Sequence, residues 1–200
     1  MSDAPKRPRR AAGPPPNAAR LREAALAHLA RFAATEVGLR RVLERRIARW
    51  ARAAEAEGQP REAIAAATAA LQVEIVSLAK SLVAAGAVND AAFAESRARR
   101  LARSGHSRRA IAAHLAAKGI ENETAAAALP DGEETELLAA LAFCRRRRVG
   151  PFARVVADAP ARMKALAALA RGGFAQGVAR RALAMDPAEA EEMLLAGRRE

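Results

Sequence analysis

The sequence predicts an all-α protein, on three observations. Ala, Leu, Arg and Glu, all good helix formers, dominate its 200 residues. Apolar residues recur at three- and four-residue spacing between Gly and Pro breaks, the period of one helix face. No run of alternating β-branched residues calls for a sheet. Apolar types make up 52% of the chain but aromatics only 3%, with one Trp and no Tyr. Each buried alanine contributes about one methyl, so the helices must approach closely around a thin core.

Residues 1–18 are rich in Pro and Arg and can bury little, so they read as a disordered basic tail, or as a basic arm that touches nucleic acid. A helix over 20–33 carries Leu21, Ala25, Leu29 and Phe32 on one stripe. Thr35 caps a second helix bearing Leu39, Leu43, Ile47 and Trp50, which Gly58-Gln59-Pro60 ends. A third spans 61–85 with Ile64, Leu71, Ile75, Leu78 and Leu82, closed by Gly86.

Residues 89–129 organise the chain. Asn89 and Asp90 open a helix with Phe93, Arg97 and Leu101 in line, and Ser104-Gly105-His106 breaks it. Ser107 caps the next, whose stripe is Ile111 and Leu115, and Gly119 stands at its closing position. Ile120 follows, and a third helix over 121–129 stops at Pro130. Beyond it, Asp131 with Glu134 matches a capping box for a helix through 148, carrying Leu137, Leu138, Leu141 and Phe143. Gly150-Pro151 breaks that helix before a short piece with Phe152, Val155 and Val156. Pro160 starts another with Met163, Leu166 and Leu169, closed at Gly172-Gly173, and Phe174, Val178 and Leu183 mark one more. Asp186 with Glu189, and Pro187 at the first helical position, opens a final acidic helix.

The chain repeats itself. A shift of about 54 residues carries Leu115 onto Leu169, Gly119 onto Gly173, Ile120 onto Phe174 and Leu129 onto Leu183. A shift of about 72 the other way carries Leu101 onto Leu29, Ile111 onto Leu39 and Leu115 onto Leu43. Three tandem three-helix repeats follow, over 19–88, 89–130 and 131–200, the first with an insertion near 45–72. Stacked small units predict an elongated, curved molecule.

The net charge of +12 predicts an acidic partner or polyanion. Its clustering says more. Arg97, Arg99, Arg100, Arg103, Arg108, Arg109 and Lys118 face Glu95 alone, whereas 119–142 holds acids and neither Lys nor Arg. These cations, with Arg145, Arg146, Arg147 and Arg148, are the candidate partner-binding residues. One or two of the final four serve the helix dipole, worth about 0.3–1 kcal/mol each, but four in a row exceed that need. No catalytic, cofactor or metal site is expected. Gly172-Gly173 lacks the Lys-Ser/Thr of a phosphate loop, and His28, His106 and His114 have no metal-ligand spacing. The single cysteine, Cys144, permits no intrachain disulfide; the neighbouring arginines would lower its pKa, but no His is fixed as its catalytic partner. A lone cysteine fits a reducing, cytoplasmic setting, and no apolar run approaches the roughly 20 residues of a membrane span.

The stretch 89–129 resembles the RecX family. The residues that carry the likeness are Asn89-Asp90, Phe93-Ala94, Arg97, Gly105, Ile111, Leu115 and Lys118-Gly119-Ile120. Ala92 stands where the family pattern has Arg, and Ser107 where it has a second glycine. Asp90, Phe93, Gly105, Ile111, Leu115, Gly119 and Ile120 are then scaffold. The resemblance implies a monomeric non-enzyme that binds the RecA recombinase filament on single-stranded DNA. It implies restraint of RecA ATP hydrolysis, strand exchange and coprotease activity in recombination and the SOS response, with weak direct DNA binding. The competing reading is a helix-turn-helix DNA binder contacting phosphates through its basic helices. Against base readout, 107–118 offers Ser107, Arg108, Arg109 and His114 among alanines.

Overall fold

In a computed structural model, residues 12–155 and 158–197 are described. The predicted tail before Ala12, and Val156, lie outside them. Among the described residues every regular element is helical. Helices α1 (Ala18–Leu29), α2 (Glu36–Ala56) and α3 (Arg61–Ala84) belong to a first compact unit, Met1–Asn89. A second unit, Asp90–Glu200, holds α4 (Asp90–Arg103), α5 (Arg108–Ala117), α6 (Asn122–Ala128), α7 (Glu133–Arg147), a 3₁₀ turn (Gly150–Phe152), α8 (Ala159–Arg171), α9 (Gln176–Ala184) and α10 (Pro187–Ala196).

In the first unit, buried Thr35 accepts from the Gly38 N–H at 2.9 Å and starts α2. Leu39, Leu43 and Ile47 then meet Leu21 and Ala25 of α1 and Leu71, Ile75 and Leu82 of α3 in one core. Residues 45–72 are mostly helical, taking in the second half of α2 and the start of α3. The two helices form a long hairpin, α2 running 21 residues against 10 for α5. Trp50, nearly buried on this hairpin, donates Nε1–H to the Gly13 carbonyl at 3.2 Å. Phe32 departs from expectation: α1 ends at Leu29, and the turn after it carries the ring outward to 55% exposure, against His28 and the Arg31 guanidinium. The membrane-span expectation needs correction as well. By length and composition alone α3 is long and apolar enough to cross a membrane. Its alanines, not counted as an apolar run, make the difference. The same helix supplies Leu71, Ile75, Ala79 and Leu82 to the buried side.

In the second unit the repeat of 54 is visible in the backbone. Leu115 and Leu169 are fully buried, and Gly119 (φ 80°) and Gly173 (φ 87°) take the left-handed conformation that closes α5 and α8. The next amides, of Ile120 and Phe174, bond back to the Leu115 and Leu169 carbonyls, both at 3.2 Å. Alanine builds the interior of α4, where Ala94 and Ala98 are fully buried while Phe93 and Leu101 flank them. On α8 the buried pair is Ala165 and Leu169, and Met163, expected on the apolar stripe, is 66% exposed near the helix start.

The α4–α5 turn lies directly on α7. Gly105 is buried at φ 82°, and a Cβ there would stand 2.5 Å from the Phe143 amide nitrogen. Arg146 of α7 donates to the Ser104 carbonyl of the same turn at 2.8 Å. The Ser107 hydroxyl does two jobs: it caps α5 by accepting from Ala110 N–H at 3.1 Å and donates to the Gly172 carbonyl at 2.6 Å. The α7 cap differs from expectation. Gly132, not Asp131, is the N-cap and no side chain caps it. Asp131 is drawn away by Arg108.

Two glycines separate strain from contact. Gly105→Ala should cost about 1–2 kcal/mol for left-handed backbone plus about 1–3 for the clash with α7. Gly58→Ala, at φ 80° with nothing near its Cβ, should cost the first part alone. Urea unfolding of both variants checks the difference.

Candidate partner-binding face

The predicted cations of the second unit do not form one patch. Arg97, Arg108, Arg146 and Arg147 are engaged by other groups of the fold. Arg97 donates Nε–H to His114 Nε2 at 3.0 Å, joining α4 to α5. Arg108 donates to the Pro130 carbonyl and to the Asp131 carboxylate, both at 2.9 Å, while its backbone N–H donates to Glu136. This clamp ties the start of α5 to the linker before α7. Both partners are exposed, so it contributes at most about 1 kcal/mol. Arg146 and Arg147 place their guanidinium groups over the Phe143 ring, 5.6 and 5.5 Å from its centroid.

The others point outward in different directions. Arg148 takes the left-handed conformation at the end of α7 and turns toward a hollow on the 3₁₀ side. Arg109 is exposed beside Gly173. Arg100 is exposed on α4, and Lys118 at the end of α5. Arg99 and Arg103 of α4 converge with Arg145 of α7 on a cleft of about 240 Å³. Its floor is Ala102, Leu138, Ala142 and Leu194, the last from α10. Arg99 meets Glu95 at 3.7 Å, an exposed one-turn pair that holds it weakly. Sequence spacing placed the four-arginine run as a block. Helical geometry divides it, and only Arg145 joins the α4 cations.

Residues 89–129 match the family model described as "RecX, second three-helix domain". The regulatory protein RecX of Agrobacterium fabrum (strain C58) is 42% identical over 108 residues, covering 54% of this chain and 58% of that protein. The regulatory protein RecX of Myxococcus xanthus (strain DK1622) is 37% identical over 187 residues, covering 92% of each chain. The chain belongs to the RecX family.

Within this RecX-family fold the motif residues are mostly scaffold. Ile111, Leu115 and Ile120 are core, Gly105 and Gly119 hold positive φ, Phe93 is half-buried and Asp90 lies in the first turn of α4. Cys144 corrects an expectation. It is fully buried, and burial pushes its thiol up to about 12, overriding the neighbouring arginines. It is no nucleophile at neutral pH. The Arg108 clamp and the bond from Ser107 to Gly172 were missed in the sequence, because both join residues far apart along the chain. A lone aspartate beside a proline gives no signal of its partner.

His114 supplies a pH test. Burial first, then the charges of Arg97, Lys118 and His106, hold its pKa below the ordinary 6.5. The folded protein thus resists a proton that the unfolded chain accepts. This part of stability is complete above pH 6.5 and lost as pH falls from there through the lowered value. The urea midpoint should therefore drop on acidification across that window, and His114→Gln, which can still accept from Arg97, should flatten the drop.

Proposed function

We propose that this chain regulates the RecA recombinase by binding its filament on single-stranded DNA. In this reading it restrains ATP hydrolysis, strand exchange and coprotease activity, and so acts in the cytoplasm in recombination and the SOS response. It works as a monomer without catalysis of its own. Membership of a family whose relatives are named regulatory proteins supports the reading. The observation that carries the choice of face is the cleft bearing Arg99, Arg103 and Arg145 over an apolar floor. Arginine around a small apolar pocket is the composition of a protein-binding anchor, suited to an acidic surface that inserts an aliphatic side chain. The helix-turn-helix alternative is weaker, because Arg108, at the start of the helix that would enter a groove, is clamped to Asp131 and Pro130.

The test is ATP hydrolysis by the cognate RecA on single-stranded DNA, with this protein titrated in. Hydrolysis should fall well below one molecule per RecA. The Arg99→Glu/Arg103→Glu/Arg145→Glu variant should need at least about tenfold more protein, as expected for reversed charges at an interface. A wild-type chain without effect at excess and low salt would contradict the reading.

A further inference from the structure

The first unit carries a second cationic surface, on the long hairpin. Arg41, Arg45, Arg49 and Arg52 follow one another at four, four and three residues along α2, so they share one stripe. That stripe lies diametrically opposite the side of α2 that buries Leu39, Leu43, Ile47, Trp50 and Ala54. It runs about 16 Å along the axis. Arg45, Arg49 and Arg52 are exposed, and among the described residues no carboxylate lies within ion-pair distance of them. Arg52 Nε donates only to its own helix, at the Ala48 carbonyl. The acids of this helix stand aside: Glu44 and Glu55 project about a quarter-turn away, and Glu55 pairs with Arg61.

A second observation concerns the tip. The Trp50 indole bonds to Gly13, and the Ala12 N–H donates to Glu57. Ala12 and Gly13 therefore lie at the extended end of the hairpin.

We propose that this stripe binds the phosphate backbone of duplex DNA without regard to sequence. The chemistry of the face selects that partner. It bears no aromatic side chain on which an unpaired base could stack, since Trp50 is turned inward. It bears no Asn or Gln to read a base edge. Nor does it offer an apolar anchor of the kind that centres a protein interface, only small residues between the arginines. Regularly spaced cations alone fit the partner of highest charge density, a double helix. The inference does not depend on any RecA interaction.

The experiment is fluorescence anisotropy of a labelled random-sequence duplex with the full chain and no RecA, across about 50–200 mM salt. The wild-type chain should bind with a steep negative log–log slope. Arg45→Gln/Arg49→Gln/Arg52→Gln should flatten the slope by about 2.7, from about 0.9 per phosphate lost, and weaken binding at least about tenfold at low salt. Arg45→Lys/Arg49→Lys/Arg52→Lys should keep the slope, which separates charge from folding. Arg99→Glu/Arg103→Glu, in the other unit, should keep most of it. An unchanged slope in the glutamine variant would overturn the proposal. So would binding to a single strand as tight as to the duplex. A glutamine variant that binds duplex normally but no longer slows RecA would overturn it too, by assigning the stripe to protein.

Discussion

The second unit depends on the approach of one backbone to another, where the Gly105 turn rests on α7 at Ala142 and Phe143. An alanine-built interior leaves little apolar area to hold helices together, so close packing must supply the stabilisation. A side chain at position 105 would force the two three-helix sets apart. The bond from Arg146 to Ser104 and the bond from Ser107 to Gly172 seal the same junction from either side. Consecutive repeats thereby become one compact body, and α4 is held at a fixed setting against α7. The cleft with Arg99, Arg103 and Arg145 is lined by residues of both helices.

Charge in this protein is divided between groups turned into contacts of the fold and groups left on its surface. Arg97, Arg108, Arg146 and Arg147 turn to a histidine, a carboxylate, a carbonyl and an aromatic face. None of these contacts is a strong buried ion pair, and each exposed one contributes little by itself. Their effect is to orient. These groups are directed by contacts within the fold, whereas Arg99, Arg103 and Arg145 converge on one cleft.

Much of the fold was legible because its signals are local. Thr35 and Ser107 cap as their residue types predict, and Gly119 and Gly173 close helices at matched repeat positions. The repeat could be found from leucine and glycine spacing because both turns obey the same backbone requirement. What failed was non-local or quantitative. Asp131 looked like a cap because its competitor, Arg108, lies 23 residues away. Phe32 and Met163 were counted as core by hydrophobicity, although the first stands past the end of its helix and alanine fills the interior near the second. Cys144 was judged by its charged neighbours in sequence, whereas burial decides its chemistry. The cation cluster was legible, but not which of its members would converge on the cleft.

The central claim is that the α4–α7 edge of the second unit meets the RecA filament. Amide hydrogen exchange of this chain, with and without RecA assembled on single-stranded DNA, tests it most directly. The account predicts slowed exchange in the C-terminal half of α4 and in the facing turns of α7 and α10, with the α5 side unchanged. Protection confined to the first unit, or absent altogether, would contradict it.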